Sequence, residues 1–92
     1  MAEQDLTDNI ARSRFELAEN GLTAFATYRR NGNVLVIPHV ESPPPLRGKG
    51  TADRLMRYVA EHARANGLKL VPTCSYAALW LRRHRDYADV LG

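Results

Sequence analysis

The residues with the clearest chemical potential form one short run, Arg47-Gly48-Lys49-Gly50-Thr51-Ala52. It lies between an apolar stretch, Val34 to His39, and a stretch of helical periodicity that begins near Thr51. Glycines at such a junction let the backbone approach a ligand closely. A helix start adds unpaired N–H groups and a partial positive charge, which suits phosphate. Arg47 and Lys49 bring full charges. The run reads as a cradle for a diphosphate, with the N–H groups of residues 48 to 52 as donors, and so as part of a site for a nucleotide-like cofactor. The competing reading is a flexible loop with two turn glycines. Neither the three-glycine dinucleotide fingerprint nor a nucleoside-triphosphate loop is complete here.

Other side chains could take part in proton or group transfer. Cys74, between a strand end and a helix start, suits a nucleophile or a proton donor, since a helix N-terminus favours a thiolate. The alternative is a buried, inert cysteine. His39 could act as a base near neutral pH or pair with Cys74. On a regular strand it shares a face with Leu35 and Ile37, so a core histidine is the alternative. Glu41 is the second candidate base, or a solvated loop carboxylate. Tyr76 could supply a proton, or pack its ring and leave its hydroxyl wet. Arg82, Arg83, His84 and Arg85 cluster at a helix end, where they suit either the helix C-terminus or phosphates. Trp80 and Leu79 read as core and His62 as surface. One cysteine with scattered histidines and acids makes no metal site.

The elements that must position these groups follow from patterning. Arg14 to Ala18 alternates as a strand, and Asn20-Gly21 is a type I′ hairpin signal. Leu22 to Arg30 is the return strand, and Asn31-Gly32-Asn33 a second tight turn. Val34 to Ile37 is apolar at every position, which predicts a central strand covered on both sides. These make a three-stranded antiparallel meander. Residues 41–46, Glu-Ser-Pro-Pro-Pro-Leu, cannot continue a strand. Ala52, Leu55, Met56, Val59, Ala60 and Ala63 lie on one helical face. Gly67 is placed as a C-cap. Leu68 to Thr73 is a strand and Ser75 to Arg83 a short helix. Strand, helix, strand predicts a crossover between parallel strands, and ligands bind beyond the carboxyl ends of such strands. Pro38 and Pro72 would end the pairing there, either opening a wedge or merely ending each strand.

Ninety-two residues with 45% hydrophobic content argue for a single domain over 1–92, with residues 1–12 loose. A chain of this size buries roughly 60–65% of its unfolded surface, so a large ligand would lie on the domain. The net charge of +3 fits an anionic ligand and also weak nucleic-acid contact. No basic face with interleaved aromatics supports the latter. A lone cysteine excludes an internal disulfide framework. The polar N-terminus and the lack of a long apolar run predict a cytoplasmic protein without a membrane span.

Together the motifs resemble the GNAT acyltransferase superfamily, whose Gln/Arg-x-x-Gly-x-Gly/Ala motif is met by Arg47, Gly50 and Ala52. The chain is similar to the minimal single-domain GNAT-like proteins. The shared marks are His39, Glu41 to Gly50, Pro72-Thr73-Cys74-Ser75-Tyr76, Arg82-Arg83-His84 with Tyr87, and the opening Arg14-Phe15-Glu16-Leu17 with Asn20-Gly21. Two departures are Val40-Glu41-Ser42, where the family often has Thr-Glu-Val after the histidine, and Arg85, where it often has Pro. The resemblance implies an α+β, compact GNAT-like fold in which the meander is followed by a β-α-β crossover and a short C-terminal helix. It implies acetyl-CoA or CoA as ligand and N-acetyl transfer to an amine, small molecule or protein. Val40, the Arg47–Ala52 loop, Ser75, Tyr76, Arg82 and Arg83 would bind the cofactor, and Cys74, His39 and Glu41 would carry the chemistry. The alternative function is a non-catalytic CoA-binding module, acting as a sensor or a partner's subunit. A monomer is expected.

Overall fold

A computed structural model of the chain describes residues 6–92. Its sheet register is set by two turns. Asn20 and Gly21 both take positive φ, 52° and 74°, as a type I′ turn requires. They join β2 (Arg14–Glu19) to β3 (Leu22–Asn31), with Glu19 opposite Leu22. Gly32, at φ 64°, opens the turn from β3 into β4 (Val34–Glu41). β4 leads through a short 3-10 turn at Pro44–Leu46 into α1 (Thr51–Ala65). Then follow β5 (Lys69–Pro72), α2 (Ser75–Arg83) and a 3-10 segment, Arg85–Val90.

The N-terminal segment differs from expectation. Leu6–Asn9 forms a strand, β1, antiparallel to β2, so the antiparallel meander has four strands, the last of which also joins the parallel pair. Residues 1–5 lie outside the described residues. Long-range contacts hold β1. The Tyr28 hydroxyl donates to Asp8 at 2.7 Å and Asn9 donates to Glu16 at 3.2 Å, while Leu6 packs against the core. Burial, then the Asp8 carboxylate, pushes the Tyr28 pKa up to about 12. None of these contacts has a local sequence signal.

The sheet order is β1-β2-β3-β4-β5, with β5 parallel to β4. Phe15, Leu17, Ala24, Ala26, Leu35, Ile37 and Leu70 bury one sheet face. Leu55, Met56, Val59, Ala60 and Ala63 of α1 pack on it, with Ala77, Trp80 and Leu81 of α2. The Trp80 indole donates to Asp53 of α1 at 2.8 Å, which places both helices on this face. The other face has no helix among the described residues, and Val34 and Val36 are only half-buried. The expected two-sided cover of β4 is therefore one-sided: its uniform apolar run hides an ordinary in–out alternation. Gly67 takes φ 67° after α1, the left-handed C′ position.

Beyond α2 the chain does more than end. Tyr87 and Val90 are buried, Leu91 bridges to Leu70, and Arg64 pairs with Asp89 at 2.7 Å. This segment shields the outer edge of β5. His62 is half-buried rather than at the surface, with its ring 5.2 Å from that of Phe15.

Candidate active site

The site begins where two parallel strands part. β4 and β5 pair from Val34↔Lys69 to Ile37↔Pro72 and no further. The Ile37 carbonyl accepts from the N–H groups of both Thr73 and Cys74, each at 3.1 Å. Pro38 and Pro72 have no N–H to extend the ladder. β4 then runs on to Glu41 beside β3 alone, while β5 turns into α2 at Ser75. The ladder stops at the prolines as expected, but only β4 continues beyond it; β5 ends at Pro72, its last paired residue.

A bulge re-aims β4 at this point. Thr27 faces His39 but Arg29 faces Val36, so β4 has one residue more than β3 across Ile37-Pro38. The extra residue inverts the side-chain alternation beyond it. His39 therefore does not share a face with Leu35 and Ile37, as a regular strand would require. It stands on the open face, opposite Thr27 and exposed. Val40 turns to the core side in its place, opposite Ala26. In β3, Tyr28 donates its N–H to Ser13, toward β2. By alternation Thr27 and Phe25 turn their backbone groups toward β4 and pair with His39 and Glu41. The N–H and C=O of Val40 consequently point away from β3, into the fork.

The glycine loop closes the fork's far side. Gly48 and Gly50 take φ 78° and 79°, a conformation that costs any other residue about 1–2 kcal/mol. Arg54 N–H, bonded to Gly50 O, makes the first helical hydrogen bond. No side chain caps α1. The N–H groups of Gly48, Gly50, Thr51, Ala52 and Asp53 accordingly have no protein acceptor among the described residues. Two supports fix this geometry. The Arg47 Nε donates to Ser42 O at 3.0 Å, folding the proline arm back on the loop. The buried Thr51 hydroxyl donates to Glu19 at 2.6 Å, and Arg54 bonds both Glu19 and the Lys49 carbonyl. The Thr51 hydrogen bond, aided by Arg54, lowers the Glu19 pKa against the opposing effect of burial.

Between fork and loop lies a cavity of about 500 Å³, walled by His39, Val40, Glu41 and Ser42 of one arm. Leu46, Arg47, Gly48, Gly50, Thr51, Ala52, Asp53 and Tyr76 complete it. His39 Nε2 lies 3.0 Å from Glu41 Oε1, both half-exposed. The histidine's hydrogen-bond partner is thus Glu41. Tyr76 projects from the first turn of α2, and burial, then Asp53 and Cys74, raises its pKa. Cys74 is the N-cap of α2, half-buried beside the core and outside the cavity lining. Ser75 is exposed at the start of α2. Arg83 lines a smaller adjoining hollow of about 230 Å³ with Asp53, Tyr76 and Trp80. Arg82 is exposed and lines neither.

Several contributors carry no motif. Glu19 sits 32 residues from Thr51 at a hairpin end, and only the tertiary fold reveals it. Asp53 accepts from Trp80 and from Arg57, and His84 stacks on Trp80 at 3.8 Å. Burial raises the Asp53 pKa, but the hydrogen bonds from Trp80 and Arg57 outweigh it and hold the carboxyl below its usual range. The Asp-Arg pair at i,i+4 was readable; the Trp80 contact was not. Chemically, the arrangement offers a row of unpartnered N–H donors for a diphosphate, backbone groups for an extended amide, and, in the lining of the same cavity, a carboxylate-oriented imidazole and a phenol.

The family model described as GCN5-related N-acetyl-transferase matches residues 14–90. Among solved structures, the chain is similar to the NMR solution structure of a GCN5-like candidate N-acetyltransferase from Staphylococcus aureus. The two share 30% identity with a TM-score of 0.71, over 100% of this chain and 91% of the other.

Proposed function

We propose, for a chain that belongs to the GCN5-related N-acetyl-transferase family, that it binds acetyl-CoA in the fork and transfers the acetyl group to an amine. The observation that carries this reading is the set of unpartnered N–H groups of Gly48 and of Gly50 to Asp53 at the start of α1, beside the cavity; the Lys49 N–H donates to the Leu46 carbonyl. Those groups would hold the diphosphate, with the dipole of α1 behind them. Lys49 would add its charge, while Arg47 holds the arm through Ser42. The freed N–H and C=O of Val40 would pair with an amide of the extended pantetheine arm, as a neighbouring strand would. Arg83, beside the smaller hollow, would meet the outer phosphates; Ser75 and Arg82 flank that path.

Acetyl-CoA supplies an acetyl thioester, and transfer forms a C–N bond to the amine as the C–S bond breaks. His39, oriented by Glu41, would take the proton that the attacking amine loses. Tyr76, a phenol that is protonated at neutral pH and lines the same cavity, would give one to the departing thiolate. Cys74 favours a second route. Its position just beyond β5, as N-cap of α2 and two residues before the cavity-lining Tyr76, would suit a nucleophile that first accepts the acetyl group and then passes it on.

Calorimetry with CoA tests the binding reading. Wild type should bind, and Gly50→Glu, which places a side chain and a negative charge in the cradle, should bind at least tenfold more weakly, a loss above about 1.4 kcal/mol. Unchanged affinity in a folded Gly50→Glu variant would misplace the cradle. Acetyl-CoA retained without transfer to any amine would make the chain a binding module rather than an enzyme.

A further inference from the structure

Asp53 stands in the first turn of α1, three residues after the Gly50 N-cap. Acidic side chains at such a place are drawn to the free N–H groups of the turn, by hydrogen bonding and by the helix dipole. Asp53 departs from this rule. No side chain caps the start of α1, and both oxygens of Asp53 are engaged elsewhere. Oδ1 accepts from the Trp80 indole at 2.8 Å and lies 3.6 Å from His84 Nε2, while Oδ2 accepts from Arg57 Nε at 3.2 Å. The carboxylate is thus drawn toward α2 and the second turn of α1, off the donors that its own helix offers.

Trp80 is the rigid part of this tether. It is 5% exposed and belongs to the core. An indole N–H is a donor only, and a buried one needs an acceptor; Asp53 is that acceptor. His84 stacks on the Trp80 ring at 3.8 Å, and its Nδ1 lies 2.7 Å from the Trp80 carbonyl oxygen, so the end of α2 holds the ring in place. Arg57 is exposed, and an exposed ion pair alone contributes little. The buried indole therefore decides where the carboxylate rests.

Asp53 also lines both the cavity and the smaller hollow beside it. Released from Trp80, its carboxylate would compete for the N–H groups of the first turn and set a negative charge beside any phosphate bound there. We infer that Trp80, aided by Arg57, is a positioning residue for the phosphate cradle: its N–H holds Asp53 back and leaves the start of α1 open to an anion. The inference rests on the proposed CoA reading. It gives α2 a part in diphosphate binding that is exerted through Asp53, not through contact between the indole N–H and the ligand.

The test is calorimetry with two probes, CoA and adenosine 3′-phosphate 5′-diphosphate, which keeps the diphosphate but lacks the arm. Trp80→Phe keeps an aromatic ring and removes the donor. It should bind both probes about fivefold more weakly, the size of one capping interaction made in the free protein. The double variant Trp80→Phe with Asp53→Ala removes the competing carboxylate and leaves neither partner orphaned. It should bind both probes at least as tightly as wild type, a reversal that a packing defect does not produce. Wild-type affinity in Trp80→Phe would overturn the inference while leaving the CoA reading intact. A double variant as weak as Trp80→Phe would overturn it by tracing the loss to packing. Weakened binding of CoA alone would overturn it by moving the loss to the arm. If Trp80→Phe does not fold, Arg57→Ala takes its place at an exposed position: it should weaken binding of both probes, and a loss that Asp53→Ala does not reverse would overturn the inference. If wild type binds neither probe, the CoA reading itself falls, and this inference with it.

Discussion

The Thr51 hydroxyl donates to Glu19 Oε1 at 2.6 Å and thereby ties the first residue of α1 to the end of the β2–β3 hairpin. Thr51 is wholly buried, and Arg54 reaches the other oxygen of the same carboxylate. The phosphate-loop candidate is thus not a free-standing turn. Its helix start is fixed to the sheet by one carboxylate, and its Lys49 carbonyl is fixed by Arg54. Thr51→Val keeps the shape but removes the donor. It should cost about 1–2 kcal/mol of stability, because Glu19 is partly exposed and water can replace the lost bond. CoA affinity should fall in the same variant while CoA saturation restores part of the melting temperature. A variant with unchanged denaturation midpoint and affinity would refute the anchoring role.

The same carboxylate gives a pH dependence. Glu19 and Asp53 both have folded pKa values below their ordinary ones. A depressed carboxylate pKa contributes stability above the unfolded value, roughly pH 4, and that contribution is lost as pH falls through the folded value. Urea midpoints should therefore be flat from neutral pH to about 5 and fall below about 4. In Glu19→Gln the acid-side fall should be shallower, since one of the linked protons is gone. An identical fall in both proteins would remove Glu19 from the linkage.

The two loop glycines should not be equivalent. Both have positive φ, so alanine strains each by about 1–2 kcal/mol. A Cβ at Gly48 meets nothing within 4 Å, whereas at Gly50 it comes to 3.3 Å from Arg54 Nη1, the atom that holds Lys49 O. Gly50→Ala should therefore lose more CoA affinity than Gly48→Ala at similar cost in stability. Equal affinities would mean that the Arg54 brace does not shape the cradle.

His39 and Glu41 should govern rate rather than cofactor binding. With a responsive amine acceptor, His39→Ala should lower kcat by roughly 10²-fold or more and leave the CoA dissociation constant near that of wild type. Glu41→Gln should give a smaller loss, since it misorients the imidazole without deleting it. Undiminished kcat in His39→Ala would remove the histidine from proton transfer.

Cys74 can be read directly by intact-protein mass spectrometry. If the thiol takes the acetyl group, incubation with acetyl-CoA adds one acetyl mass to wild type and none to Cys74→Ala, which should still bind CoA. No adduct on wild type, with transfer intact in Cys74→Ala, would leave the thiol as packing against the core, worth about 1 kcal/mol.

What the sequence alone determined was mostly local. Asn20-Gly21 dictated a turn whose two positive φ angles few other pairs accept. The apolar spacing from Leu55 to Ala63 dictated the buried face of α1, and Gly48 and Gly50 marked the loop before it. Pro38 and Pro72 marked the end of the parallel ladder, because a missing N–H cannot pair in any context. Tertiary structure decided whatever depends on two distant segments meeting. The bulge at Ile37-Pro38 exists only in register with β3, so the face of His39 was not readable from alternation. The polar strand Leu6–Asn9 is held by Tyr28 and Glu16, and the Glu19 anchor and the Trp80–Asp53 link are likewise products of packing. A residue's type and neighbours fix its backbone preferences, but the partner of a buried polar group is set by the fold, and in this chain those partners hold the site in shape.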